Sequence, residues 1–584
     1  MDSKSPFRLP RKTPFGWGAN VAEWATGLSQ LDKFYAQRPA GCDTKAFLRF
    51  TLDVLGIDYH ISRGSLDNIP QSGATIVVAN HPLGCVEGVI LAELLLMVRD
   101  DVQILANQYL KTVPELDSLF IGVDVFEGKS AHRSNMKALR CANKHLEQGG
   151  LLLMFPAGEV SHVVDSKTQR LEDKEWSRSV AALLRKNKAT TVPVFINGHN
   201  SKRFYMAGKI HPLLRTLMLG RELLNKQSQP IGIAIGDAIK YKEVNTLTDT
   251  KVVNYLRLNT YLLQPTDSEH DTVPIPADQH PIAAALPIQA YLEEIENLSK
   301  AHHLLSSNEF DVYCTPSKHI PSLMHEIGRV REQNFRAVGE GTGKDLDLDE
   351  FDDDYLHLFV WDREKQRLVG AYRLGLVDQV TQKRGLDGLY SRTLFHYDQR
   401  FLNKMGVAVE MGRSVIAAEY QRSMSALLLL WKGIATYVSR HPEITHLFGP
   451  VSISNDYSQQ ARQLLAQSMT LHHYDAESAN YVEPSNPLPH STWNTSLLTS
   501  LGDLQLLSRV IARIDQGKGV PVLLRQYLGL NGKLVCFNVD PAFNNALDGL
   551  IVVDLRSVET KTLARYMGQT EAVEYLAYHQ DQGV

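Results

Sequence analysis

The chain has 584 residues, too many for one hydrophobic core, so two or more domains are expected. Apolar residues make up 43% and charged residues 22%, the composition of a folded globular protein rather than a disordered one. The net charge of −4 excludes a bulk basic excess for nucleic acid and leaves any anionic partner to a local patch.

Five cysteines stand far apart: Cys42, Cys85, Cys141, Cys314 and Cys536. No pair has metal-ligand spacing, so a reduced cytoplasmic compartment and no metal site are expected. The opening MDSKSPFRLPRKTPFGWG has no apolar core of a secretory signal. The longest apolar runs, 89–98 and 426–431, fall short of the roughly 20 residues that span a bilayer, so any membrane contact is expected to be peripheral.

Residues 1–60 read as helical, with Trp24, Leu28, Leu31, Phe34 and Tyr35 at helical spacing. Apolar runs at 75–79, 103–106, 151–155 and 191–196 then read as strands, and 88–99, 135–147 and 176–186 as helices. Such alternation predicts an α/β domain with a largely parallel or mixed sheet over 1–263. Residues 264–288 hold five prolines and no period, which predicts a linker over 264–305 that includes a connecting helix. A second α/β domain is expected over 306–584. The pattern restarts with helices near 289–304 and 319–335 and strands at 355–361, 367–374 and 407–415. A helix over 423–440 follows, with late strands at 534–538 and 550–553.

Four short motifs in the first half sit at strand ends. Val78–Gly88 reads VANHPLGCVEG, placing His81 in a turn and Glu87 at the start of a helix. Acyl transfer to a hydroxyl needs a base near neutral pKa, with a carboxylate to fix its tautomer, and His81 and Glu87 suit those roles. A lone histidine in such a turn more often only caps it. Phe155-Pro-Ala-Gly158-Glu159-Val-Ser161 ends a strand in a polar loop, where amides near Gly158, with Ser161, can hold a polar head group; a plain strand-to-turn transition reads equally. Arg133 in Ala131-His-Arg-Ser-Asn offers a guanidinium to an anionic head group, and Val192-Pro193-Val194 closes a buried strand.

Together these motifs resemble the glycerolipid (lysophospholipid) acyltransferase family over roughly 60–240, in the branch termed hemolysin-like. The resemblance implies His81 as general base, Glu87 as its partner, Asn80, Arg133, Gly158, Glu159 and Ser161 around the acceptor, and Pro193 as a structural element. The family pattern has Asp five positions after the histidine, whereas this chain has Glu six after it. The acid of the second block is likewise moved two places. Residues 202–226 add Leu213, Leu214, Leu217 and Leu224 near one helical face among Lys202, Arg203, Lys209, Arg215, Arg221 and Lys226. That pattern suits a membrane interface, an acidic carrier protein or an ordinary core-facing helix.

In the second half, Gly339-Glu340-Gly-Thr-Gly-Lys344 fails as a phosphate loop, because Val338 stands where Gly is needed and Asp345 where Ser or Thr is needed. It reads as a flexible turn over a ligand. Acids at 345, 347, 349, 350 and 352 lack the spacing of a calcium loop and read as a site for a cationic amine or as solvated charge. Glu410 and Arg413, three apart, face opposite ways on a strand unless a bulge near Gly412 brings both to one site.

These residues resemble the GNAT-fold N-acyltransferases shared by acyl-homoserine lactone and ornithine lipid synthases, over roughly 306–460. The resemblance implies Arg331 and Phe335 as the family's spaced Arg and aromatic, Asp349 and Asp352 as its acidic pair, Arg373 as its strand arginine and Glu410–Arg413 as its Glu-x-x-Arg. Glu410 is then the expected base, Asp349 or Asp352 the holder of the substrate ammonium, and Arg373 and Arg413 the holders of its carboxylate. The pyrophosphate loop is poorly kept at Arg422–Leu427, which favours an acyl carrier protein thioester over a CoA donor, with no other cofactor.

The two resemblances imply one half that acylates amines and one that acylates hydroxyls, and the whole chain so resembles the bifunctional ornithine lipid synthases of bacteria. That implies N-acylation of ornithine by a 3-hydroxyacyl carrier protein, then O-acylation of the lyso-ornithine lipid, at the cytoplasmic face of the inner membrane. Glycine or a lysophospholipid as acceptor, and a membrane-binding protein without catalysis, are the competing expectations.

Overall fold

The computed structural model describes residues 5–7, 23–124, 129–165, 170–210, 215, 217–226, 230–265, 279–489 and 493–581. The chain forms two compact units. The first takes Met1–Asp267 together with Asn494–Ser500, and the second takes Ser268–Trp493 together with Leu501–Val584.

The first unit begins with helices α1 (Leu28–Tyr35) and α2 (Thr44–Leu55). The Asp43 side chain caps α2 by accepting from the Ala46 amide. A seven-stranded sheet follows, built from β1 (Tyr59–Arg63), β2 (Thr75–Ala79), β3 (Val102–Asn107), β4 (Phe120–Val123), β5 (Leu151–Met154), β6 (Thr190–Asn197) and β7 (Ile231–Ile235). The order is β1-β7-β6-β2-β5-β3-β4, and only the β6–β7 pair is antiparallel. Every residue of β2 is buried, because β2 lies between β5 and β6 with covered faces. The carboxyl ends of β2, β5 and β6 therefore lie side by side, and the sequence blocks at 80–87, 155–161 and 196–200 leave the sheet at one edge.

Helices α3 (Val86–Val98), α4 (Lys129–Glu147), α5 (Ser179–Asn187), α6 (Lys202–Ile210), α7 (Leu219–Leu224) and α8 (Asp249–Tyr261) also belong to this unit. The apolar run at 89–98 belongs to α3, which is buried almost all round. Among the described residues no helix is long and apolar enough to cross a membrane. The basic segment at 202–226 is split. Leu223 and Leu224 pack on the core, whereas Met206, Ile210 and Leu217 are exposed, and Leu213 and Leu214 lie outside the described residues.

The second unit contains an eight-stranded sheet made of β8 (His303–Ser307), β9 (Phe310–Pro316), β10 (Leu356–Asp362), β11 (Arg367–Leu376), β12 (Ala408–Ile416), β13 (His446–Ile453), β14 (Lys533–Asp540) and β15 (Ala546–Asp554). The order is β8-β9-β10-β11-β12-β13-β15-β14, antiparallel except for β12–β13. Helices α9 (Ile288–Asn297), α10 (Pro321–Ala337) and α11 (Met424–Arg440) accompany it.

Part of the segment expected as a linker over 264–305 packs on the second unit, and its connecting helix is α9. Residues 266–278 lie outside the described set, but 279–305 belong to the second unit. The His280 amide donates to Gly343 O, the Ala283 amide donates to Asp345 O, and Tyr291 of α9 is buried. The helix expected over 289–304 stops at Asn297, and the Ser299 side chain caps a short turn that leads into β8.

Candidate active sites

In the first unit, Asn80 follows β2. Its side chain donates to Ile196 O at 3.0 Å and accepts from the Ile196 amide at 2.7 Å. This corrects the expectation that Asn80 contacts substrate, since its polar atoms are used in tying β2 to β6. The pairing sets where the chain leaves the sheet and so where His81 stands.

His81 Nδ1 lies 2.8 Å from Glu87 Oε1. Glu87, fully buried, sits in the first turn of α3, and its Oε1 also accepts the amides of Leu83 at 3.0 Å and Gly84 at 2.8 Å. The longer loop therefore closes. Gly84 takes φ 97°, a left-handed conformation that favours glycine, and turns its amide to the same oxygen that meets the histidine. A Cβ at Gly84 would stand 2.4 Å from the end of the Leu219 side chain, which would have to shift to admit it. The Nδ1–Oε1 approach is close but poorly aligned for a hydrogen bond, so Nδ1 has no hydrogen-bond partner; separately, Glu87 Oε2 has none. Burial alone would push the His81 imidazole down, but the Glu87 carboxylate outweighs it and raises the pKa above the ordinary histidine value. Burial would push Glu87 up, and His81 with the Gly84 amide holds it lower instead.

A residue that sequence reasoning missed organises this site. Asp173 Oδ1 accepts the His81 amide at 3.2 Å and the Ser161 hydroxyl at 2.6 Å, while Oδ2 accepts Trp176 Nε1 at 2.9 Å. The Asp173 backbone is itself held, its amide by Tyr261 OH at 2.7 Å and its carbonyl by Arg257 Nη2 at 2.6 Å, both from α8. The Ser161 amide donates to His81 O at 2.8 Å. Ser161 is buried and its hydroxyl is engaged with Asp173, so the expected head-group contact is corrected to a bracing role. Nothing in the local sequence LEDKEW marks Asp173 beyond its charge.

Gly158, at φ 69°, is exposed, and its amide is turned to Phe155 O at 3.0 Å rather than left free for a head group. Glu159 pairs with Lys174 and with Arg215 Nη2 at 2.6 Å. Arg133 is exposed in the early part of α4. The Phe155 ring lies tilted against His81, with centroids 4.6 Å apart. The His81 side chain is 17% exposed, and with Nδ1 facing Glu87, Nε2 is the ring nitrogen left for an acceptor hydroxyl.

In the second unit, Arg331 of α10, Arg373 of β11 and Arg413 of β12 meet the acids of the 345–352 loop. Arg331 Nη1 lies 2.9 Å from Asp352 Oδ1, and Arg373 Nη1 lies 2.5 Å from Asp349 Oδ1 and 3.3 Å from Asp352 Oδ1. Arg413 stands 3.4 Å from both Asp347 and Asp349. Burial alone would raise Asp352, but Arg331 and Arg373 hold it well below the usual carboxylate range. Arginines already pair with both Asp349 and Asp352, the acids expected to hold a substrate ammonium. Phe335 lies one turn beyond Arg331 and is half-buried.

The bulge expected near Gly412 is present one residue on. Gly412 pairs with Arg373 and Val415 with Ala371, so Arg413 and Ser414 stand unpaired, and Arg413 takes φ 48°. This turns Arg413 toward Tyr390, whose hydroxyl accepts from Nη1 at 3.3 Å. Its contacts with Asp347 and Asp349 are long, so the guanidinium can still take a substrate carboxylate.

Glu410 is buried and saturated. It accepts from the Tyr355 hydroxyl, the Tyr390 amide at 3.1 Å and the Ser391 amide at 2.6 Å. These contacts tie the carboxylate that was expected to act as base to the 390–391 turn. The 339–344 turn is not free to close over a ligand either, since Glu332 accepts from the Thr342 amide and hydroxyl and from the Gly343 amide. Among the described residues no group of three or more His, Cys, Asp or Glu side chains is placed to hold a metal.

Residues 34–269 match the acyltransferase family, and 330–432 match the acetyltransferase (GNAT) domain. The glycine N(alpha)-acyltransferase of Bacteroides thetaiotaomicron is 30% identical over 243 residues, which cover 39% of this chain and 71% of that protein. The protein of the same name from Phocaeicola vulgatus is 29% identical over 245 residues, covering 39% and 74%. The lyso-glycine lipid O-acyltransferase of Phocaeicola vulgatus is 25% identical over 218 residues, covering 34% and 75%. The chain thus carries an acyltransferase domain followed by a GNAT domain.

Proposed function

Since the chain belongs to the family of the Bacteroides glycine N(alpha)-acyltransferase, we propose that it builds a diacylated aminolipid in two steps. The GNAT unit N-acylates an amino acid with a 3-hydroxyacyl thioester. The first unit then acylates the hydroxyl brought in on that chain, with His81 as base and Glu87 as its partner. The observation that carries this reading is the union in one chain of likenesses to an N-acyltransferase and to a lyso-lipid O-acyltransferase. The order follows from the chemistry, because the hydroxyl arrives with the first acyl chain.

Ornithine is the acceptor we favour. Its support is no longer the 345–352 loop but Glu340 and Asp540, carboxylates that act on one another and on Asp548. No arginine, lysine or histidine among the described residues pairs with them. Arg413, whose charge reaches Asp540, suits the amino acid carboxylate, and the acids suit a second ammonium. Glycine is the second reading, supported by the names of the relatives. Acyl carrier protein as donor and the cytoplasmic face of the inner membrane as workplace belong to the same proposal. Met206, Ile210 and Leu217, exposed among basic residues, are compatible with a lipid surface.

The test is expression in a bacterium that makes no aminolipid of this kind, followed by lipid mass spectrometry. A diacylated ornithine lipid is expected, with the lyso form alone accumulating in His81→Ala. A glycine lipid would replace the first reading with the second, and no new aminolipid would overturn both.

A further inference from the structure

We infer that Asp548 is the group that takes the proton from the acceptor amine during N-acyl transfer, an inference that rests on the N-acylation proposed above. Amide formation from a thioester needs such a group, because the attacking nitrogen must shed a proton as its bond to the carbonyl carbon forms. The C–S bond then breaks, and the leaving thiolate takes up one proton, so the proton count closes without any further reactant.

Glu410 is poorly suited to this task. Three donors already point at its carboxylate, and protonation would break at least one of those hydrogen bonds. Asp548 differs in each respect. It is buried on β15, receives one hydrogen bond, from Ser452 Oγ at 2.6 Å, and is paired with no arginine, lysine or histidine among the described residues.

Its place in the sheet is where a substrate can enter. Strands β12 and β13 pair only at Ala408–His446, Val409–Leu447 and Glu410–Phe448. At the next step a Cβ on Gly449 would stand 2.1 Å from Met411 O, so only glycine allows the two strands to run together there. Beyond it the partnership ends, and the bulge at Arg413 and Ser414 turns β12 away. Ser452 is four residues past Phe448 and so on the same face. It lies opposite Asp548, which also lies opposite Asn538 of β14, so the three side chains share one face.

Asn538 supplies a second, independent observation at this place. It is fully buried, its oxygen accepts the Asn486 amide at 2.7 Å, and its Nδ2 donor has no partner. A buried donor left without an acceptor is costly unless something arrives to fill the place. An incoming amino acid or thioester carbonyl brings acceptors, and its amine meets Asp548.

The groups acting on Asp548 are Ser452 from β13, Asp540 from β14 and Arg413 from β12; Asn538 lies opposite it on β14, and Asp548 in turn raises Glu340 of the 339–344 turn. Burial, with Asp540, pushes its carboxyl up to about 7, while Ser452 and Arg413 oppose the rise. A base poised near neutrality is suited to accept and return a proton at cellular pH.

The experiment uses the purified full chain with 3-hydroxypalmitoyl-acyl carrier protein and either ornithine or glycine, following N-acyl product against pH. Asp548→Asn is expected to lose about 100-fold or more in kcat, the usual share of a general base. Asp540→Asn removes the neighbouring negative charge that raises Asp548 and is expected to move the rising limb of the pH profile to lower pH. Ser452→Ala removes a donor to the charged form and is expected to move it to higher pH. Opposite shifts of this kind would not follow from a purely structural role, and they decide the matter should Asp548→Asn fail to fold. A wild-type-like rate in Asp548→Asn, or a limb unmoved in both other variants, overturns the assignment. A wild-type chain that makes no N-acyl product with either amino acid overturns the N-acylation reading, and the role of Asp548 with it.

Discussion

His81 Nδ1 lies 2.8 Å from Glu87 Oε1, and Gly84, at φ 97°, donates its amide to the same oxygen. The carboxylate raises the imidazole's pKa above its ordinary value, so the neutral base is restored only as pH rises through that raised value. O-acylation is therefore expected to rise with pH on a limb above the usual histidine midpoint. Glu87→Gln removes the charge that raises the imidazole, so its limb should move to lower pH while kcat falls. The measurement is the pH–rate profile of O-acyl transfer to a synthetic N-acyl amino acid. A limb that stays in place in Glu87→Gln would separate Glu87 from the base.

Asp173 is expected to matter for the same step without touching the acceptor. Its Oδ1 joins the His81 amide to the Ser161 hydroxyl, so Asp173→Ala frees the turn that carries the base. Displacing a catalytic group by about 1 Å costs on the order of 100-fold. We expect a loss of that order in kcat for O-acylation with little change in KM, and N-acylation in the same preparation unchanged. Equal loss in both activities would point instead to general unfolding.

Glu410 separates two roles cleanly. Glu410→Gln places an NH₂ group among three donors, and at least one buried N–H or O–H loses its acceptor. Each such loss costs about 1–3 kcal/mol. The expected outcome is a lower denaturation midpoint of the second unit, with activity falling alongside stability. A variant as stable as wild type but inactive would return Glu410 to the chemistry.

The legible parts of the sequence were those where one residue type has one physical meaning. The buried run Thr75–Ala79 reads as a strand because it is apolar throughout, and His81 stands out because few side chains titrate near neutrality. Strand β1, whose residues are mostly exposed at a sheet edge, carried no alternation to find. Charged residues proved the hardest to interpret. Asp349, Asp352, Asp173 and Glu410 look alike in sequence, and only tertiary contacts distinguish a carboxylate held by arginines from one bracing a turn or lacking a cation. Asp548, far along the chain from Arg413, shares a sheet face with the site only because β15 pairs with β13.

Arg331 and Asp352 offer the sharpest stability test. The pair is buried, and Arg373 shares the same carboxylate oxygen. Arg331→Met removes one partner and leaves the Asp352 charge with Arg373 alone, which is expected to cost about 3–5 kcal/mol, as for other buried pairs broken on one side. The pH dependence has a definite sign. The folded-state pKa of Asp352 is depressed, so its contribution is complete above the unfolded aspartate value of about 3.9 and is lost as pH falls toward the depressed value. Denaturant titrations of wild type and Arg331→Met should differ most near neutral pH and converge as the solution is acidified below that value. A gap that stays constant on acidification would mean that Arg331 stabilises the unit by packing rather than by charge.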